Sequence, residues 1–149
     1  MRVVIALGAN LGNPRVQLEE AMEALRDVMK IETTSSFYET KPFKVNEEQP
    51  NYINAVLVGE TNLEAEQLMK ALLVIEERIG RKRSTINAAR LIDLDIIDYQ
   101  GIVINSENLT LPHPRAHERE FVLRPWLEID PEAQLTGFGA VKDLLAALN

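Results

Sequence analysis

The run Ile92-Asp93-Leu94-Asp95-Ile96-Ile97 constrains this chain more than any other stretch of it. Its apolar, β-branched character predicts a strand over residues 91–99. Side chains alternate faces along a strand. Leu94 and Ile96 therefore enter the core, while Asp93 and Asp95 share the opposite face with Cα atoms roughly 6.5–7 Å apart. Two carboxylates held so close repel each other unless something positive lies between them. Mg²⁺ meets that demand, because it takes oxygen ligands and often binds one or two carboxylates together with substrate phosphates. Pairing of each aspartate with an arginine meets it too. Asp98 stands outside the alternation and is expected to be a solvated residue at the strand's end.

Cations gather just upstream. Arg78, Arg81, Lys82, Arg83 and Arg90 fall in a stretch without an acid, on a chain whose net charge is −7. A solvated charge run is the plain explanation. A basic island on an acidic protein also suits a small polyanion, whereas a nucleic-acid partner calls for a general basic excess. Phosphoryl transfer uses this combination of metal-binding carboxylates and guanidinium groups. Glu76, one turn before Gly80, is placed either to orient such ligands or to sit exposed on its helix.

The remaining pattern predicts one domain in 149 residues, with 46% hydrophobic content to supply its core and no cysteine for a disulfide or a thiol nucleophile. The apolar run at the N-terminus is too short for a signal peptide or a membrane span, so a soluble cytoplasmic protein is expected. A strand over 3–7 leads through a turn at Gly8, Gly12 and Asn13 into a helix from Pro14 to about residue 30, with Leu18, Met22, Leu25 and Met29 on one face. Strands follow over 31–38 and 52–58, separated by a polar loop. A second helix is capped by Asn62, buries Leu68, Leu72, Ile75 and Ile79, and stops at Gly80. Residues 81–90 read as a loop, Gln100-Gly101 as a hairpin turn into 102–104, 109–125 as irregular and 141–148 as a short helix. The order β-α-β-β-α-β predicts an α+β sandwich with helices packed on a largely antiparallel sheet.

Tyr52 and Asn54 share a strand face, where a ring beside a carboxamide can stack on a flat heterocycle and bond its edge. A packed tyrosine with a structural asparagine gives the same pattern. Phe121 is a second stacking surface or a core residue. Gly8 to Gly12 is too short for a P-loop, and His113 and His117, with no cysteine, make a poor zinc site.

Six stretches in order, ALGANLGNP (6–14), SSFYETKPF (35–43), QPNYINAV (49–56), IEERIGRKR (75–83), ARLIDLDII (89–97) and LTLPHPRAHEREFVLRPWLEI (109–129), resemble the 6-hydroxymethyl-7,8-dihydropterin pyrophosphokinases of folate biosynthesis. The resemblance implies a ferredoxin-like fold and transfer of the β,γ-diphosphate of ATP to the pterin hydroxymethyl group, releasing AMP. It implies two Mg²⁺ ions on Asp93 and Asp95, with Asp95 near the attacking hydroxyl. Arg81 and Arg90 become the cations of a mobile loop that assists transfer. Tyr52 and Phe121 would sandwich the pterin, with Asn54, Thr40 and Phe43 completing its pocket. Glu76, Arg83, His113 and Arg119 fall on the nucleotide side. ATP and the reduced pterin are then the partners, with no nucleic acid or membrane, in a protein expected to be a monomer with a homodimer left open. Two departures stand out. Ile86-Asn87-Ala88-Ala89 replaces a loop tryptophan of some members, and Pro114 follows His113 where some have tyrosine. A catalytically silent nucleotide-binding domain and an RNA-binding module share the topology, but neither needs two carboxylates beside arginines.

Overall fold

The computed structural model describes residues 1–41, 50–83 and 91–148, with 81–83 described by backbone alone. Strand β1 (Arg2–Ala9) leads into helix α1 (Pro14–Leu25), and β2 (Lys30–Thr34), β3 (Tyr38–Thr40) and β4 (Tyr52–Glu60) follow. Helix α2 (Ala65–Arg83) and strand β5 (Asp93–Tyr99) complete the sheet. All pairings in it are antiparallel, in the order β2-β4-β1-β5, with β3 beside β2 along the same edge of β4. Each helix thus crosses over an inserted strand, as the β-α-β-β-α-β order requires.

The two sheet faces differ. Ile5, Leu7, Leu57, Leu94 and Ile96 point toward α1 and α2, where Leu18, Leu25, Leu68 and Leu72 meet them. Val4, Ala6, Val56, Val58 and Ile97 point the other way, against Val122, Leu123 and Trp126 of α3 (Glu120–Ile129) and Val141 and Leu145 of α4 (Val141–Ala147). Each large side chain so buried stabilises the fold by about 1.5–3 kcal/mol.

Several elements depart from expectation. Gly80 does not end its helix; α2 runs on to Arg83. A helical glycine costs only about 1 kcal/mol against alanine, and cations suit the negative end of the helix dipole. Asn62 lies ahead of the first helical residue, Ala65. Helix α1 ends at Leu25, where the last turn tightens to bonds such as Val28 N to Leu25 O. The single strand expected over 31–38 is two, both paired to β4. The turn at Gln100-Gly101 exists, but β6 (Ile104–Asn105) pairs with β7 (Thr110–Leu111) and not with β5. The region read as irregular contains α3, with Pro125 inside the helix and buried against the sheet.

Asp98 is the clearest correction. A register shift between Val4 and Ile5 makes Val4 the partner of Asp98 and Ala6 that of Asp95. One extra residue in β5 swings Asp98 onto the face of Asp95. It is buried there, accepting bonds from Gly101 N at 3.1 Å, Thr136 N at 3.1 Å and Thr136 Oγ1 at 2.8 Å. These bonds tie the end of β5 to the small hairpin of β8 (Gln134–Leu135) and β9 (Gly139–Ala140).

Helix α3 is clasped to the sheet edge by Glu128. Its carboxylate accepts from Tyr38 Oη at 2.6 Å, from Ser36 N at 3.1 Å and from Ser36 Oγ at 2.9 Å. The tyrosine hydroxyl, and then the Ser36 donors, hold the Glu128 carboxyl below its ordinary pKa against the opposing effect of burial. A carboxyl with a depressed folded pKa contributes stability above its unfolded pKa of about 4.3 and loses it as pH falls through the folded value. Tyr38→Phe should therefore be less stable than the parent near neutral pH. The gap is modest, because the pair is exposed and screened, and it should narrow at about pH 3. Urea unfolding at the two pH values checks both statements.

Candidate active site

Strand register brings the polar residues together. Asn54, Gly8 and Asp93 form one row across β4, β1 and β5, and Val56, Ala6 and Asp95 form the next. Strand β3 extends the first row with Tyr38 and sets Thr40 beside Tyr52. The apolar cover from α3 and α4 takes in Ala6 and Val56 but leaves Tyr52, Asp93 and Asp95 half-buried. Between β4 and β5, the strand β1 presents only the Ala6 methyl group and the Gly8 hydrogen in these two rows.

Gly8 is needed for that floor. A Cβ there would stand 3.0 Å from Asn54 Oδ1. Asn54 is buried, and its Nδ2 donates to Thr40 Oγ1 at 2.7 Å. Its amide plane is thus fixed before any ligand arrives. The alternation of Tyr52 and Asn54 indicated this face. Gly8, expected in the turn, lies instead within β1 and pairs on both sides, and Ala6 was missed; a glycine inside a strand is itself a sign of close approach.

The carboxylates lie on an outer strand. Glu76, half-buried on α2, accepts from Leu94 N at 2.7 Å, so it grips the main chain between Asp93 and Asp95. Among the described residues no group of three or more histidine, aspartate or glutamate side chains is gathered for a metal. Two half-exposed carboxylates on one face supply hard oxygen donors and leave coordination positions open. That fits Mg²⁺, which keeps waters and takes phosphate oxygens alongside one or two carboxylates.

His113 borders this face. Its main-chain N donates to Ile97 O at 2.9 Å, and its Nδ1 accepts from Arg115 N at 3.1 Å. Burial lowers its pKa; the nearby Asp95 carboxylate raises it, and Arg119 and Arg115 lower it further. The neutral ring, with Nδ1 accepting, carries its proton on Nε2. Arg119 lies with its guanidinium carbon 5.5 Å from the centre of the Phe121 ring, which is exposed in the first turn of α3. Among the described residues no ring contact joins Tyr52 to Phe121. The structure thus gathers Thr40, Asn54, Glu76, Asp93, Asp95 and His113 around one end of the sheet. Arg81 and Arg83 occupy the last turn of α2 by backbone. The expectations for Phe43 and Arg90 lie outside the described residues.

No described helix is long and apolar enough to cross a membrane. The chain matches the model of the 7,8-dihydro-6-hydroxymethylpterin-pyrophosphokinase family over residues 4–131. It is 40% identical over 143 residues to 2-amino-4-hydroxy-6-hydroxymethyldihydropteridine pyrophosphokinase of Haemophilus influenzae, covering 95% of this chain and 89% of that one. It is 44% identical over 128 residues to folic acid synthesis protein fol1 of Pneumocystis carinii, covering 85% of this chain but only 17% of that protein. A crystal structure of Plasmodium falciparum HPPK-DHPS superposes with a TM-score of 0.79 at 16% identity, covering 98% of this chain and 44% of that one. At that identity the likeness speaks for the fold alone. The family match, the Haemophilus relative and the shared fold agree, and this chain belongs to the 7,8-dihydro-6-hydroxymethylpterin-pyrophosphokinase family.

Proposed function

We propose that the chain transfers the β,γ-diphosphate of ATP to the hydroxymethyl oxygen of 6-hydroxymethyl-7,8-dihydropterin and releases AMP. The row Asn54–Gly8–Asp93 supports this reading best. It sets a fixed amide, able to bond the edge of a flat heterocycle, across a bare floor from a carboxylate suited to a metal–phosphate group. Tyr52 and Phe121 are the stacking surfaces for the pterin, with Thr40 orienting Asn54.

The hydroxymethyl oxygen attacks the β-phosphorus. A new oxygen–phosphorus bond forms, and the bond from the β-phosphorus to the α,β-bridging oxygen breaks. AMP leaves with that electron pair. Asp95 accepts the hydroxyl proton, directly or through a water. Mg²⁺ held by Asp93 and Asp95 would offset the phosphate charge, and two ions are proposed. His113 Nε2–H is a donor to a phosphate oxygen, and Arg119 adds positive charge beside it. Arg81, Arg83 and Arg90 are proposed as the cations of the transfer, and Glu76 fixes the strand beneath the phosphates. The proposal is of a cytoplasmic enzyme, a monomer with a homodimer left open.

Three outcomes follow. With ATP, Mg²⁺ and the pterin alcohol, the nucleotide product resolved by chromatography should be AMP, formed only with the pterin present; stoichiometric ADP would overturn the reaction. Asp95→Asn should keep its circular dichroism spectrum while kcat falls by a factor of about 100, or about 2.7 kcal/mol in the barrier. Near-normal turnover at saturating Mg²⁺ would remove its role. Gly8→Ala should displace Asn54 and weaken pterin binding about tenfold, which is about 1.4 kcal/mol, with little change in nucleotide affinity. Calorimetry with each ligand tells these apart, and equal losses would argue against the bare floor as a pterin surface.

A further inference from the structure

We infer that Gln17 is a positioning residue for Asp93, acting through the main chain at the entry of β5. This rests on the reading of Asp93 as a metal ligand. Gln17 lies on α1 and is fully buried. A buried carboxamide is tolerated only when its polar atoms are bonded. Its Nε2 donates to Leu91 O at 2.5 Å and to Leu11 O at 3.0 Å, and its Oε1 accepts from Asn13 N at 2.8 Å. All three partners are main-chain groups. Two belong to the turn between β1 and α1. The third lies two residues before Asp93.

Leu91 is not held by the sheet. The pairing of β5 with β1 begins at Asp93, opposite Gly8. Among the described residues, the Gln17 amide holds the main chain of the approach to that pair, beside the buried Ile92 side chain. Three residues beyond Leu91, Glu76 accepts from Leu94 N. Residues 91–94 are therefore held at both ends by side chains from two helices, with Asp93 between. Glutamine is the suitable residue for the first hold, because it offers donors and an acceptor together. Methionine fills the space but bonds nothing, and glutamate lacks the donors for two carbonyls. The turn is shaped around this amide. Gly12 has φ +73°, and a Cβ there would stand 2.3 Å from Gln17 Oε1.

Two variants test the inference. Gln17→Met removes the bonds and keeps the bulk. Gly12→Ala displaces the amide and leaves Gln17 intact, so it decides the matter should Gln17→Met fail to fold. The readouts are half-saturating Mg²⁺ for turnover, Mn²⁺ affinity with a non-hydrolysable ATP analogue, and pterin affinity at saturating Mg²⁺ and analogue. Both metal constants should rise about tenfold or more, as for other residues that orient metal ligands. Pterin affinity should stay within about twofold, as for a distant independent site. A folded variant with a lowered melting temperature but unchanged metal constants would reduce Gln17 to a structural role and overturn the inference. Asp93→Asn separates this from the underlying reading. If it leaves metal demand unchanged, the assignment of Asp93 as a ligand fails. If it raises metal demand while Gln17→Met and Gly12→Ala do not, only the positioning role fails.

Discussion

The placement of β1 between β4 and β5 is the interaction on which the rest depends. A central strand carries two ladders of hydrogen bonds, so its register fixes both neighbours at once. Here that register puts Asn54 and Asp93 on opposite sides of Gly8. A shift of one residue in either ladder would send one of them to the face packed by α1 and α2, where Ile5, Leu7 and Leu57 leave no room for a polar group. The same strand is apolar and bulky on that face, while on the other it is nearly bare past Val4, at Ala6 and Gly8. One strand therefore anchors the core and forms the floor of the site.

The division of the second face follows from where α3 starts. Val122, Leu123 and Trp126 cover the portion built from Val4, Ala6, Val56 and Val58. Phe121, one residue earlier than Val122, is exposed. The helix therefore buries the apolar half of the face, and its first turn marks where the polar half begins. Glu128 holds this arrangement from the far end of the helix through Tyr38 and Ser36. Tyr38 pairs with Asn54 in the sheet. The clasp on the helix and the amide of the site thus belong to one strand pair, and a displacement of α3 would be felt by both.

Periodicity made the framework legible. The strands at 3–7, 52–58 and 91–99, the helix faces of Leu18 with Leu25 and of Leu68 with Leu72, and the shared face of Asp93 and Asp95 follow from residue spacing alone. What escaped depends on contacts that spacing does not encode. Asp98 looked solvated because it stands at the strand's end and outside the alternation of Asp93 and Asp95; the bulge that turns it onto their face is a property of the pairing with Val4 and Ile5. Helix α3 was hidden by its charges and by Pro125, whose missing N–H is offset by the burial of the apolar residues around it. Gln17 carries no sequence signal at all, since a glutamine in the first turns of an amphipathic helix is ordinarily a surface residue. The resemblance to a family added what geometry could not: the identity of the heterocycle and the phosphorus attacked.

An outer strand is an awkward support for metal ligands, and this fold answers the difficulty in a specific way. Among the described residues no further strand pairs beyond β5 in this sheet, so strand pairing there holds its backbone on the β1 side. Edge backbone of this kind opens more readily than central strand. Carboxylates on it would lose definition where a divalent ion demands near-octahedral placement within a few tenths of an ångström. Glu76 takes the outward Leu94 N–H and Gln17 takes the Leu91 carbonyl. Both holds come from helices whose apolar faces are anchored in the main core, through Leu18 and Ala21 on α1 and Leu72, Ile75 and Ile79 on α2. The precision of the outer strand is therefore borrowed from the packed side of the sheet.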